Sequence, residues 1–184
     1  MEEKNIIKGC IRGKAKAQKA LVDRYGPSLL TVSRRYAIDL PMAEDILQDA
    51  FIKIFQNFRR FDARIGKLEP WLRRIVINTA LDRVRKESKK MEYAGLDMIS
   101  HPASAPDVYS QLEAEEIMAL LEKMPVGFRT VFNLYVIEGY SHQEIAEKLE
   151  IQPASSRSQL LRARSWMQRA LKDLQERQYE PKRI

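Results

Sequence analysis

At 184 residues, with 45% apolar and 31% charged residues and a net charge of +7, the chain can bury one or two small cores and is too apolar to be disordered. Its one cysteine, Cys10, excludes an internal disulfide, and His101, His142 and the carboxylates show no metal-ligand spacing, so no cofactor or metal is expected. No apolar run is long enough for a signal peptide or a membrane span, which makes the cytoplasm the expected compartment.

Residues 15–37 place Ala20, Leu21, Tyr25, Leu29, Leu30 and Val32 at helical spacing, with Gly26-Pro27 expected to kink or break the helix. After the turn at residues 38–41, Ile46, Leu47, Ala50, Phe51, Ile54, Phe55 and Phe58 mark a strongly amphipathic helix. Its other face carries Asp45, Gln48, Asp49, Ile52, Lys53 and Gln56. The helix macrodipole accounts for early acidic residues, but not for Ile52 among them. An isolated exposed apolar residue is common and does not by itself mark a protein partner, while the acidity of the face argues against DNA. The loop FDARIGKLEP follows, and a helix is predicted from near Leu68 to about Lys89. There Trp71, Leu72, Ile75 and Thr79 face inward, while Arg74, Asn78, Asp82 and Arg85 share another face. Residues 59–90 hold 11 basic and four acidic side chains. A mid-helix Asn is mildly unfavourable, so Asn78 either caps locally or reads a base edge. Phe58 and Phe61, taken as exposed, are candidates to stack on an unpaired base. A solvated basic helix is the plain alternative.

Residues 91–108 contain Gly95 and a proline cluster near His101–Asp107 and no basic residue, which predicts a flexible acidic linker. Helical pattern resumes over residues 111–122, breaks at Met124-Pro125-Val126-Gly127 and continues from Phe128 to Ile137. Ser141 with Glu144 forms a capping box, and Ile145, Ala146 and Leu149 give the next helix an apolar stripe. Pro153 suits the first position of a final helix. That helix carries five basic residues and no acidic one from Arg157 to Lys172. Ser156, Leu160, Ala163, Met167, Leu171 and Leu174 fall on its inner side. Ser155, Ser158, Leu161, Arg162, Ser165 and Arg169 fall opposite, with Arg157 at the flank, able to reach a guanine edge or a phosphate. Leu161 fits both a thymine-methyl contact and chance. Short helix, tight turn and basic helix outline a helix-turn-helix, whose partner is duplex DNA.

Charge repeats this division. Residues 1–90 hold 21 Lys and Arg against 11 Asp and Glu, residues 91–120 hold none against six, and residues 121–184 hold 11 against eight. Two basic lobes flanking an acidic connector predict two nucleic-acid contacts. The expected fold is therefore all-α: two small helical domains, residues 1–90 and 111–178, joined by a flexible linker over 91–110, the second domain a helix-turn-helix.

With both lobes in view, the chain resembles the extracytoplasmic-function sigma factors of the sigma-70 family. AEDILQDAFIKIFQNFRRFD is similar to the family's region 2.1–2.2, and PWLRRIVINTALDRVRK to its region 2.3–2.4. MPVGFRTVFNLYVIEGYSHQEIAEKLEI with SSRSQLLRAR resembles region 4. The likeness runs from about Ala17 to Leu174. It implies a non-enzymatic factor that joins RNA polymerase core through the clamp helices, selects promoters and aids −10 melting. By this resemblance Asp45, Gln48, Asp49 and Ile52 dock the clamp helices. Phe61 and Asn78 hold a flipped −10 base, with Arg74, Arg85 and Lys86 near the backbone, and Ser155, Arg157, Ser158 and Arg162 contact the −35 element. It also implies an anti-sigma factor as partner and no small-molecule substrate. Glu150 and Ala154 stand where the family usually has glycine, so Glu150 is expected to bear a glycine-like backbone geometry at about 1 kcal/mol. Two other readings are an autonomous helix-turn-helix regulator binding operator DNA without polymerase, and a nucleic-acid enzyme. The regulator leaves residues 43–90 without a purpose. The enzyme lacks any nucleophile–base pair or partner for Asp45 and Asp49.

Overall fold

The computed structural model describes residues 1–93 and 114–179, and the chain divides into two compact units, Met1–Lys89 and Lys90–Ile184. Among the described residues every regular element is helical.

In the first unit, α1 (Glu3–Ile11) turns at Gly13, with φ of 67°, into α2 (Ala15–Arg34). The backbones meet closely: a Cβ added at Gly9 would lie 2.3 Å from the Ala17 Cβ, so only glycine permits this approach. Tyr25 donates from its hydroxyl to Glu3, and burial followed by that bond pushes the Tyr25 pKa up to about 12. No periodic signal had pointed to α1. Nor does α2 break at Gly26-Pro27 as expected. Pro27 is exposed, while Leu21, Tyr25, Leu29 and Val32 are buried, and packing against α1 and α3 carries the helix through the missing backbone bond.

Helix α3 (Leu40–Asn57) starts six residues before Ile46, the first residue of the predicted stripe. Asp39 caps it by accepting from the Met42 N–H at 2.8 Å, and a proline occupies its first turn. Its buried side is Met42, Ala43, Ile46, Ala50 and Ile54. A single 3-10 turn, Phe58–Arg60, then leads into the loop before α4 (Leu68–Tyr93). Leu72, Val76, Ile77, Thr79, Ala80, Leu81 and Val84 of α4 are buried, with Trp71 and Ile75 half-buried. Helix α4 reaches past the expected boundary at residue 90, and the remainder of the expected linker, from residue 94, lies outside the described residues.

In the second unit, α5 (Ala114–Lys123) and α6 (Val126–Phe132) meet at the predicted break around Pro125. One π turn, Asn133–Ile137, extends α6, and α7 (His142–Leu149) and α8 (Pro153–Tyr179) follow. The core is Leu120, Leu121, Met124, Phe128, Ala163 and Met167, so α8 closes onto α5 and α6. Arg129, only 1% exposed, sits beneath it. Its Nη1 donates to the carbonyls of Glu122 at 2.8 Å and Leu121 at 3.3 Å, completing the C-terminal turn of α5. Burial lowers the Arg129 pKa while Glu122 opposes the shift; an arginine starts so high that it remains charged.

Candidate nucleic-acid interface

The helix-turn-helix is assembled from local rules. Ser141 caps α7 reciprocally: its Oγ accepts from the Glu144 N–H at 3.2 Å, and Glu144 Oε2 accepts from the Ser141 N–H at 2.8 Å. These bonds hold the Glu144 carboxyl below its ordinary pKa. At the other end Glu150 adopts φ 57° and ψ 41°, the left-handed geometry expected from its place in the turn. The Ile151 N–H then returns to the Ala146 carbonyl at 3.0 Å, closing α7 as a glycine would. Pro153 opens α8, and the Gln152 carbonyl takes the Ser156 N–H at 3.1 Å.

A contact the sequence did not announce locks the two helices. His142 stacks on Tyr135 with ring centroids 4.5 Å apart, and its Nδ1 lies 2.9 Å from the buried Ser156 Oγ. Partial burial first, then Arg157 and Arg164, hold the imidazole below its ordinary pKa. Tyr135 also lies under the Arg164 guanidinium at 6.0 Å.

Ser156, Leu160, Ala163 and Met167 of α8 are buried, and Leu171 and Leu174 half-buried, so the inner side matches the predicted stripe. Outward stand Arg157, Ser158, Leu161 and Arg162, all exposed, with Ser155 half-buried beside them. Ser165 and Arg169 are also half-buried, so the open surface is narrower than helical spacing suggested. Ser158 Oγ donates to the Ser155 carbonyl at 3.0 Å, which leaves its lone pairs facing out and makes it an acceptor. In this arrangement it fits an adenine or cytosine amino group better than a phosphate.

The first unit presents a second basic surface. On α4, Arg74, Asn78 and Lys86 are exposed and Arg85 is half-buried. Arg85 is held by Asp82, which also receives Lys53 Nζ from α3 at 3.1 Å. Burial alone would raise the Asp82 pKa; the bonds to Lys53 and Arg85 overcome it and lower the pKa. Arg83 lies 3.6 Å from Asp45 on α3 and 3.7 Å from Glu87. These cross-links tie the basic surface to the acidic one: Asp45, Gln48, Asp49 and Ile52 are all exposed, Ile52 by 55%.

The expectation that Phe58 and Phe61 are exposed is overturned. Phe58 is fully buried and Phe61 is 8% exposed, because both pack on Trp71 at 5.5 and 5.3 Å between ring centroids. Phe61 is thus the floor of the following loop and offers little ring face to a base. In that loop Asp62 accepts from the Arg64 N–H at 2.9 Å and from its guanidinium at 2.7 Å, bonds that bring the carboxyl pKa down to about 2. The Asp62 carbonyl also takes the Ile65 N–H at 3.0 Å, leaving Ile65 87% exposed at the tip. An Asp two residues before an Arg was the one sequence signal for this clasp.

Among the described residues no group of His, Cys, Asp and Glu could hold a metal ion, and no helix is long and apolar enough to cross a membrane.

Residues 21–90 match the family model Sigma-70 region 2, and residues 114–167 match Sigma-70, region 4. The ECF RNA polymerase sigma factor SigW of Bacillus subtilis (strain 168) is 32% identical, covering 93% of this chain and 97% of that protein. The RNA polymerase sigma-H factor of Pseudomonas aeruginosa is 28% identical over 94% of this chain and 95% of its own. Among solved structures, the sigma factor RpoE from Bartonella quintana, in complex with the anti-sigma factor NepR, shares the fold: TM-score 0.50 at 23% identity, covering 84% of this chain and 96% of that one.

Proposed function

The chain belongs to the sigma-70 family, in its extracytoplasmic-function group, and from that premise we propose how its two units divide the work of an RNA polymerase sigma factor. The first unit is the core-binding and −10 domain over residues 1–90, and the second, residues 111–178, is the −35 domain, with a connector between them. Asp45, Gln48, Asp49 and Ile52 dock the polymerase clamp helices. This is supported by their shared exposure on α3, where Ile52 is an apolar residue without a covering partner in its own unit.

Asn78 reads a −10 base beside the loop that Phe61 underlies. Arg74 and Lys86 take backbone phosphates, and Arg85 joins them by exchanging Asp82 for phosphate. Ser155, Arg157, Ser158 and Arg162 meet the −35 duplex. The observation that carries this reading is α8: cations and an acceptor hydroxyl outward, and a buried stripe beneath. An anti-sigma factor is a further partner, and the cytoplasm the working compartment. RNA synthesis belongs to the polymerase; this chain selects and melts, without a small-molecule substrate.

Run-off transcription tests the assignment. Core polymerase with this chain initiates at a promoter that core alone ignores, and failure to do so removes the function. Replacing Asp49 and Ile52 together by alanine is expected to weaken co-purification with core roughly tenfold while helicity is unchanged, since both side chains are exposed. Undiminished co-purification would move the docking surface elsewhere.

A further inference from the structure

Leu161 takes no part in the core of its own unit. It is 68% exposed, about two turns into α8. A helix surface gains nothing from an exposed leucine that a lysine or glutamine would not also give, since all three favour the helix. Its neighbours at helical spacing are Arg157, Ser158, Arg164 and Ser165, with Arg162 adjacent. It is an apolar island in a cationic and hydroxylic field, whereas the other large exposed apolar residues of this unit, Ile117, Tyr135, Val136 and Ile137, lie on different elements. Unlike Ile52, which stands among acidic residues, Leu161 is flanked by Arg157, Arg162 and Arg164 and by serine hydroxyls. The partner of such a field is a polyanion.

Nucleic acid offers few apolar groups to a helix in the major groove. On the base edges there is one, the C5 methyl of thymine. The neighbouring side chains are suited to other groups: Arg157 and Arg162 to guanine or phosphate, and Ser158, its proton directed to the Ser155 carbonyl, to an amino group. We infer that Leu161 is a specificity-determining residue that reads the methyl of one thymine in the −35 element. The inference rests on the placement of α8 in that element and adds to it one base and one atom group.

The test uses holoenzyme assembled from core polymerase and the full chain. A −35 sequence is first selected from randomised duplex. Each of its thymines is then replaced singly by deoxyuridine, which removes only the methyl. At one position, methyl loss weakens wild-type binding about three- to fivefold, the scale of one methyl withdrawn from contact. Leu161→Ala holoenzyme is insensitive at that position and keeps the wild-type response elsewhere. Leu161→Gln, which retains length and helix propensity, serves as the second variant should alanine perturb folding.

The inference is overturned if no thymine is selected, if every deoxyuridine substitution affects wild type and variant equally, or if Leu161→Ala instead reduces co-purification with core. Arg157→Ala separates this failure from that of the underlying placement. If it leaves both the overall −35 affinity and every −35 substitution penalty unchanged, α8 itself does not lie in the −35 groove.

Discussion

The two surfaces proposed to meet DNA are both basic, but on α4 Arg83 and Arg85 are paired with acids of their own unit, whereas α8 leaves Arg157 and Arg162 bare. In the first unit Arg85 and Lys53 share Asp82, Arg83 meets Asp45 and Glu87, and Arg64 is clasped by Asp62. In the second, Arg157 and Arg162 stand exposed with no ion pair among the described residues. A paired arginine that exchanges carboxylate for phosphate alters the local charge balance little. A bare one adds its full attraction and releases a counterion. The first surface therefore depends more on shape and on Asn78, and the second more on electrostatics and on the stiffness of its platform. Under the proposed assignment, the −35 contact should show the steeper salt dependence of the two.

The largest expected effect attacks the platform. Arg129→Ala strands a buried and a part-buried carbonyl of α5 and removes a side chain only 1% exposed, so the second unit should lose about 2–4 kcal/mol. Thermal unfolding followed separately in each unit checks this; an unchanged second unit would show that α8 does not depend on the arginine. Next, Arg157→Ala should weaken promoter selection by roughly 1–3 kcal/mol on the preferred −35 sequence if it contacts a base. An equal loss on every −35 sequence, with a salt slope reduced by about one, would make it a phosphate contact instead.

Smaller changes sharpen the contrast. Glu150→Gly relieves the left-handed backbone at φ 57° and should stabilise the second unit by about 1 kcal/mol without moving −35 preference. Denaturant unfolding reads the first quantity and duplex selection the second. Asp82→Ala moves the first surface toward the second, by removing the carboxylate that Arg85 and Lys53 share. Its stability loss stays below about 1 kcal/mol because Asp82 is 43% exposed. The Asp82 pKa is lowered in the fold, so its contribution is present above the ordinary carboxylate pKa near ~4 and fades as pH falls through the lower folded value. Wild type and Asp82→Ala should therefore converge in acid, while at neutral pH the variant's −10 binding gains salt sensitivity.

The same contrast separates what the sequence discloses from what it hides. The sides of α3 and α8 are legible because an apolar stripe at helical period has one way to face a core. The Ser141–Glu144 cap and the geometry of Glu150 are legible because they depend on three or four neighbouring residues. The contacts that distinguish the surfaces are not local. Asp45 meets Arg83, and Lys53 meets Asp82, only once α3 and α4 have packed. Phe58 and Phe61 read as exposed loop aromatics until Trp71, ten or more residues on, covers them. Helix α1 is only nine residues long, and its place depends on Gly9 meeting Ala17 across a turn. The exposure of Asn78 and Arg157 was readable; the partners of Arg85 were not.

Under the proposed function, each surface is too small to select a promoter alone, and polymerase joins them into one reader. A mobility-shift measurement on promoter duplex, with and without core polymerase, tests this most directly. The isolated chain should bind weakly, with strong salt dependence and little sequence preference, and addition of core should produce a tight complex that discriminates −35 and −10 substitutions. Tight, sequence-specific binding by the chain without core would instead identify an autonomous DNA-binding regulator.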